Sequence, residues 1–256
     1  MARNSRLKDH NAEQRMFGRR VVAASFIIMV LLGALFAEAM MDLRPWDFWT
    51  SDGHPHPGTD EMVSTLEAVL ARHPDHPGAC HYYIHVVEAS PKPERALACA
   101  ERLPALMPGA GHLVHMPAHI YMRLGRYREA SERNATAAMV DHEYLSRHPL
   151  EGNYASGYYA HNLHFLNASL VMEGRSVEAM QVARDLLSKI SVEEIVKDPS
   201  LEWYAPTLLL TMARFGQWGE LIRQPPPPKE LRFTTGLWHY VRGLAFVATT
   251  RFGSAE

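Results

Sequence analysis

Residues 111–127 read Gly111-His-Leu-Val-His-Met-Pro-Ala-His-Ile-Tyr-Met-Arg-Leu-Gly-Arg-Tyr127. His112, His115 and His119 are three and then four residues apart, which puts three imidazoles on one face of a helix. Leu124-Gly-Arg-Tyr-Arg-Glu-Ala130 comes next. Gly125 ends one helix and the apolar spacing restarts in another. The stretch therefore predicts helix, short turn, helix, with one face of the first helix made of histidine.

Around it lies a chain of 256 residues, enough for one large core or for a row of small stacked units. Hydrophobic residues make up 47%, an ordinary globular share, and the net charge of −2 gives no electrostatic reason to expect nucleic acid as a partner. The two cysteines, Cys80 and Cys99, exclude a disulfide framework and a CxxC site. The fifteen histidines are well above common usage and do not form a tag-like run.

Residues 1–40 form a basic segment followed by an apolar one. Arg15, Arg19 and Arg20 precede Val21–Ala37, a run without charge. It reads as a short membrane span, as a secretory signal ending near Ala37-Glu-Ala39, or as a buried helix of the fold. An anchor or signal would place the protein in the cell envelope, with membrane contact only through this segment; a buried helix leaves it in the cytoplasm. Residues 41–60 are rich in Pro, Gly, Asp and Trp and predict a loop, pinned to the helices by Trp46, Phe48 and Trp49. Residues 61–256 alternate helical spacing with short breaks and show no strand pattern. Helices are expected over Ala79–Ser90, Glu94–Leu106, 111–124, 126–145, 157–173, 175–190, Leu201–Phe215, Trp218–Ile222 and Phe233–Phe252.

Aligning the breaks brings out a period. Ala96 and Ala130 stand 34 residues apart, each early in a second helix, and Gly125, Gly174, Gly216 and Gly253 each sit at a turn. A helix-pair repeat of this length resembles the tetratricopeptide-repeat family. Ala118, Tyr121, Gly125, Tyr127, Ala130 and Ala137 fall where that family has its small and aromatic packing residues. Asn134, where a large aromatic is usual, departs from the pattern. His81-Tyr-Tyr-Ile-His-Val-Val-Glu-Ala-Ser90, Ala110-Gly-His-Leu-Val-His-Met-Pro-Ala-His119 and His161-Asn-Leu-His164 are similar to segments of a group of bacterial tetratricopeptide-repeat proteins without a settled activity. Ala34–Trp49 resembles an interior part of that group, which implies a shortened member. The resemblance implies an all-α fold, a right-handed α-solenoid of helix pairs, over roughly residues 60–253.

Numbered from the turn residues Pro91, Gly125 and Gly174, the histidines fall in register. His81, His115 and His164 share one position, His85 and His119 another, and His112 and His161 a third. The positions are spaced i, i+3, i+7, a single stripe. In the family this stripe faces a concave groove, with the first helices of neighbouring repeats side by side. Imidazole suits zinc, copper or iron, so the register predicts a transition-metal site. His81, His85, His115 and His119 are expected to converge on one ion, with His112, His161 and His164 completing it or holding a second. Glu88 lies on the same stripe and is the candidate general base or a further ligand. Tyr82, Tyr121 and Asn162 are candidate outer partners. Such a centre would serve oxidative or hydrolytic chemistry, or storage. Two other readings stand beside it: a non-catalytic scaffold that holds a peptide or protein in the groove, and histidines satisfied in a core. His10, His54, His56, His73, His76, His142 and His148 lie off the stripe.

Overall fold

The computed structural model describes residues 32–148 and 154–251. It is all-α: no strand occurs among the described residues, which hold only one isolated bridge, Trp49 to Pro55. The chain divides into two compact units, 1–99 and 100–256.

The first unit is built on helices α1 (32–42), α2 (Thr59–Arg72) and α3 (Pro77–Glu88). Gly33 sets the approach of α1 to α2: a Cβ there would stand 2.8 Å from a methyl of Val69. The α3 helix starts where Pro77 supplies a fixed φ and His76 Nδ1 accepts from the Ala79 N–H at 3.0 Å. Tyr83 Oη donates to Glu67 at 2.6 Å, joining α3 to α2, and Arg95 pairs with the same carboxylate. The loop between α1 and α2 is fastened by buried Phe48, whose carbonyl accepts from Thr59 Oγ1 at 2.8 Å, and by Trp49, whose Nε1 donates to the Val86 carbonyl at 2.6 Å. Phe48 and Trp49 thus pin the loop, whereas Trp46 stays exposed. Residues 21–31 of the apolar run lie outside the described residues; the remainder belongs to α1, with Ala34 and Ala37 buried. No described helix is long and apolar enough to cross a membrane.

Helix α4 (Leu97–Leu106) leads into the second unit. There follow α5 (Gly111–His115), α6 (Pro117–Arg123), α7 (Tyr127–Arg147), α8 (Ala160–Glu173) and α9 (Ser176–Leu187). A short α10 (Val192–Lys197) precedes α11 (Thr207–Arg214), α12 (Trp218–Ile222) and α13 (Arg232–Ala248). Packing runs in chain order: α5 and α6 on α7, α7 on α8, α8 on α9, α9 on α11, α11 on α13.

Three of the expected turns share one construction. Gly125, Gly174 and Gly216 have φ of 72°, 76° and 67°. The residue after each donates its N–H to the carbonyl five residues before it: Arg126 to Tyr121, Arg175 to Leu170, Gln217 to Met212. This is the Schellman closure, which requires a left-handed residue. Gly253 lies outside the described residues.

Three expectations need correction. Residues 111–124 are two helices, because Pro117 has no N–H to give and the hydrogen bonding is interrupted at Met116. The span expected as a helix from Leu201 opens instead with a 3₁₀ turn, Pro199–Tyr204, and only Thr207–Arg214 is α-helical. No helix is expected between residue 190 and Leu201, yet α10 forms there. Its signal is a capping box: Ser191 Oγ accepts from Glu194 N, and Glu194 Oε2 accepts from Ser191 N.

Candidate metal centre

The centre lies in the second unit, on α5, α6 and α8, with α7 behind it. His115 is its middle residue and is wholly buried. Its Nε2 stands 2.9 Å from His119 Nε2 and 3.0 Å from His161 Nε2. His112, His115 and His161 each bring a ring nitrogen within 4.8 Å of the other two. Phe165 forms an apolar wall, with its ring centroid 4.7, 4.5 and 5.0 Å from those of His115, His119 and His161. Tyr158 covers His112 at 5.0 Å.

Why α8 presents these groups follows from its spacing. Tyr158, His161 and Phe165 lie at i, i+3 and i+7, one flank of a helix. The helix is entered through a π-helical turn, Ala155–Tyr159, which carries Tyr158. The start of α5 is set by Asp141 of α7, buried and accepting from Tyr154 Oη at 2.8 Å and Asn162 Nδ2 at 2.6 Å. A Cβ on Gly111 would stand 1.9 Å from Asp141 Oδ1, so only glycine lets α5 begin beside this carboxylate. Burial raises the Asp141 pKa, and its two donors oppose the rise.

A chain of hydrogen bonds fixes the tautomer of His115. Ser169 Oγ donates to the Phe165 carbonyl at 2.8 Å, leaving its oxygen to accept from Asn134 Nδ2 at 3.2 Å. That orients Asn134 with Oδ1 toward His115 Nδ1, 2.6 Å away. An amide oxygen only accepts, so Nδ1 carries the proton and Nε2 offers its lone pair. Burial holds the His115 pKa well below the ordinary imidazole value. The neighbouring charges of His119 and His161 push it the same way, and the Asn134 hydrogen bond works against them. The ring therefore stays neutral, the form that binds a metal.

The spacing suits an ion. Nitrogens about 2.0–2.1 Å from zinc stand roughly 2.9–3.4 Å from one another, by the geometry of tetrahedral or right-angled ligation. Without an electrophile, two Nε2 atoms contend for the single lone pair of His115, and two N–H groups cannot both point along it. A cation could instead take lone pairs from His112, His115 and His161, whose donor atoms all lie within 4.8 Å of one another.

His112, His115, His119 and His161 come together in the second unit. His164 does not join them: it lies on the other flank of α8, its ring edge-on to Tyr204 at 5.3 Å, and burial lowers its pKa. The shared stripe position misplaced it, because a helix between two neighbours has two flanks and His164 faces the later one. His81, His85 and Glu88 lie on α3 of the first unit. There the rings of His81 and His85 are 4.9 Å apart and His85 Nδ1 is 3.3 Å from Glu88 Oε1. Of the outer partners, Tyr82 is bound to Glu38, with its pKa pushed up to about 12 chiefly by burial. Tyr121 lies under the Arg126 guanidinium at 4.5 Å, and Asn162 serves Asp141. The residues that do support the histidines are Asn134, Ser169, Phe165 and Tyr158. Asn134 had a signal in the sequence, its departure from the aromatic usual at that place; the other three had none of comparable weight. No family model and no curated protein matches the chain.

Proposed function

We propose that this chain is a tetratricopeptide-type helical-repeat protein whose second unit binds a transition-metal ion through His112, His115 and His161, with His119 as the fourth imidazole. The repeat reading rests on packing in chain order, on the three glycine turns and on Ala96, Ala130 and Ala179, each five residues after its turn residue and each fully buried. On this reading the helix pairs form a right-handed solenoid. The observation that carries the metal reading is His115 Nε2, held unprotonated by Asn134 and set within 3.0 Å of two further Nε2 atoms. An all-imidazole donor set favours zinc or copper. With three rings ligating, the remaining position is where a metal-bound water or a substrate oxygen would sit, as hydrolytic or oxidative chemistry requires. The peptide-scaffold reading is weaker, because a ring as deeply buried as that of His115 offers a peptide no contact.

The test is zinc titration of the full chain, purified without a histidine tag and stripped with chelator, followed by calorimetry. His161→Ala and His119→Ala should each weaken binding at least about tenfold, by loss of one ligand, with the far-ultraviolet circular dichroism unchanged. Equal affinity in wild type and both variants would overturn the metal reading and return the histidines to a packing role.

A further inference from the structure

Helix α13 of the second unit is apolar on two faces. The inner face is packed: Thr234, Val241, Ala245 and Phe246 are buried, and Val241 and Ala245 share a cluster with Met212 of α11 and Leu221 of α12. On the outer face Phe233, Leu237, Tyr240, Leu244 and Val247 recur at steps of four and three, which makes one stripe along the helix. Phe233 is 45%, Tyr240 60%, Leu244 40% and Val247 50% exposed. No charged residue interrupts the stripe; Arg232 and His239 lie at its border. A solvent-facing helix surface is ordinarily polar, so an apolar outer face is suited to being covered. Trp203 of the 3₁₀ turn is 64% exposed and widens the patch, its ring stacked on that of Phe233 with centroids 6.0 Å apart.

The pattern within the stripe indicates what covers it. Gly236 and Gly243 run along one edge, Leu237 and Leu244 along the other, and Tyr240 stands at the midpoint. A second α13 laid antiparallel about a two-fold axis at Tyr240 matches these edges to themselves. Gly236 comes level with Gly243 of the second copy, Leu237 with Leu244, and Phe233 with Val247. The glycine edges let the two backbones approach closely: a Cβ on Gly236 would meet nothing within 4 Å in the single chain. The leucine edges fill the other side, and antiparallel helix dipoles attract. Pairing of identical surfaces usually has to overcome like charges, and the stripe holds none. Phe233, Tyr240, Leu244, Val247 and Trp203 expose roughly 500 Å² per copy, judged from the size of such side chains. A pair would close over about 1,000 Å², the lower bound for a specific interface.

We propose that α13 is the interface of an antiparallel homodimer, with the Tyr240 side chains of two copies meeting on the two-fold axis. The contact is isologous, so it closes at two copies and does not propagate. It uses none of the histidines on α5, α6 and α8 and stands whether or not they bind a metal.

The test is sedimentation equilibrium of the full chain, with chelator present, across micromolar concentrations. Wild type, Tyr240→Glu, Leu244→Glu and Val177→Glu are compared. Wild type should pass from monomer to dimer as concentration rises. Each stripe variant places a charge in the seam and should raise the dissociation constant at least about tenfold. Both side chains are exposed in the single copy, so the far-ultraviolet circular dichroism should be unchanged. Val177 of α9, exposed and outside the stripe, is the control, and Val177→Glu should dimerise like wild type. Mild oxidation reads the orientation. Tyr240→Cys meets its own copy on the axis and should give a disulfide-linked dimer, whereas Phe233→Cys, level with Val247 of the second copy, should not. The native Cys80 and Cys99 are buried and leave the background low. A wild type that stays monomeric throughout overturns the proposal. So does a dimer indifferent to Tyr240→Glu and Leu244→Glu, or cross-linking by Phe233→Cys in place of Tyr240→Cys.

Discussion

At the scale of single residues, the centre depends on Asn134 as much as on the rings it supports. Asn134 is wholly buried, and both ends of its amide are committed, one to His115 and one to Ser169. Asn134→Leu would strip the acceptor from a buried N–H, at a cost of about 1–3 kcal/mol. It should also weaken zinc binding roughly 10- to 100-fold, since His115 becomes free to present either nitrogen. Asn134→Asp keeps the acceptor and should recover most of the affinity; calorimetry on the two variants makes the comparison, and equal losses would remove Asn134 from the positioning role. The sequence exposed the residue types and hid their partners. Spacing within α5 and α6 gathered His112, His115 and His119, because neighbours on one helix are set by 3.6 residues per turn. The meeting of His161 with His115 depends on which flank of α8 turns toward α5, and no local rule decides that. The same asparagine begins a glycosylation-type triplet, Asn134-Ala-Thr136, and its burial shows that triplet to be coincidental.

At the scale of elements, the turns were legible and the helix interiors less so. Gly125, Gly174 and Gly216 stood out because Schellman closures need positive φ and few residues other than glycine supply it. The break at Pro117 was equally visible as a residue, yet its neighbours keep helical dihedrals, so apolar spacing runs through it unaltered. Glycines of the two kinds should respond oppositely to the same change. Gly174→Ala puts a Cβ on a residue with φ of 76° and should destabilise by about 1 kcal/mol. Gly236→Ala, inside α13 with nothing within 4 Å of the added methyl, should stabilise by about 0.5–1 kcal/mol. Urea midpoints of the two variants, displaced to opposite sides of wild type, are the expected result.

At the scale of the whole molecule, the imidazoles make stability depend on pH in a window of their own. His115 and His164 have pKa values lowered in the folded protein, chiefly by burial. A lowered histidine takes its proton more readily in the unfolded chain. The stability it contributes is therefore complete above about pH 6.5 and is lost as pH falls from there toward the folded value. Carboxylates with lowered values, such as Glu67 and Glu194, act in the same direction but start from 4.5. Asp141, raised by burial, acts in the opposite sense from 3.8 upward. Between pH 7.5 and 5.0 the histidines dominate, so the urea midpoint of the chelated protein should drop across that interval. His164→Gln should shrink the drop, and a midpoint unchanged between the two pH values would contradict the burial of neutral imidazole. The all-α class was legible throughout, because helical apolar spacing recurs from residue 62 onward without an alternating run.

The burial of His115 also has a consequence in time. A ligand atom with no exposure cannot meet an ion by diffusion through solvent alone. Phe165 lies on one side of the ring, Asn134 behind it, and His119 and His161 beside its Nε2. On the proposed metal reading, loading and unloading would wait for the packing around His115 to loosen, a collective motion of microseconds to seconds rather than a side-chain flip. An ion held as proposed would dissociate at a rate set by the protein, so even modest equilibrium affinity would translate into long residence, and rapid mixing with a chromophoric chelator should show release independent of chelator concentration.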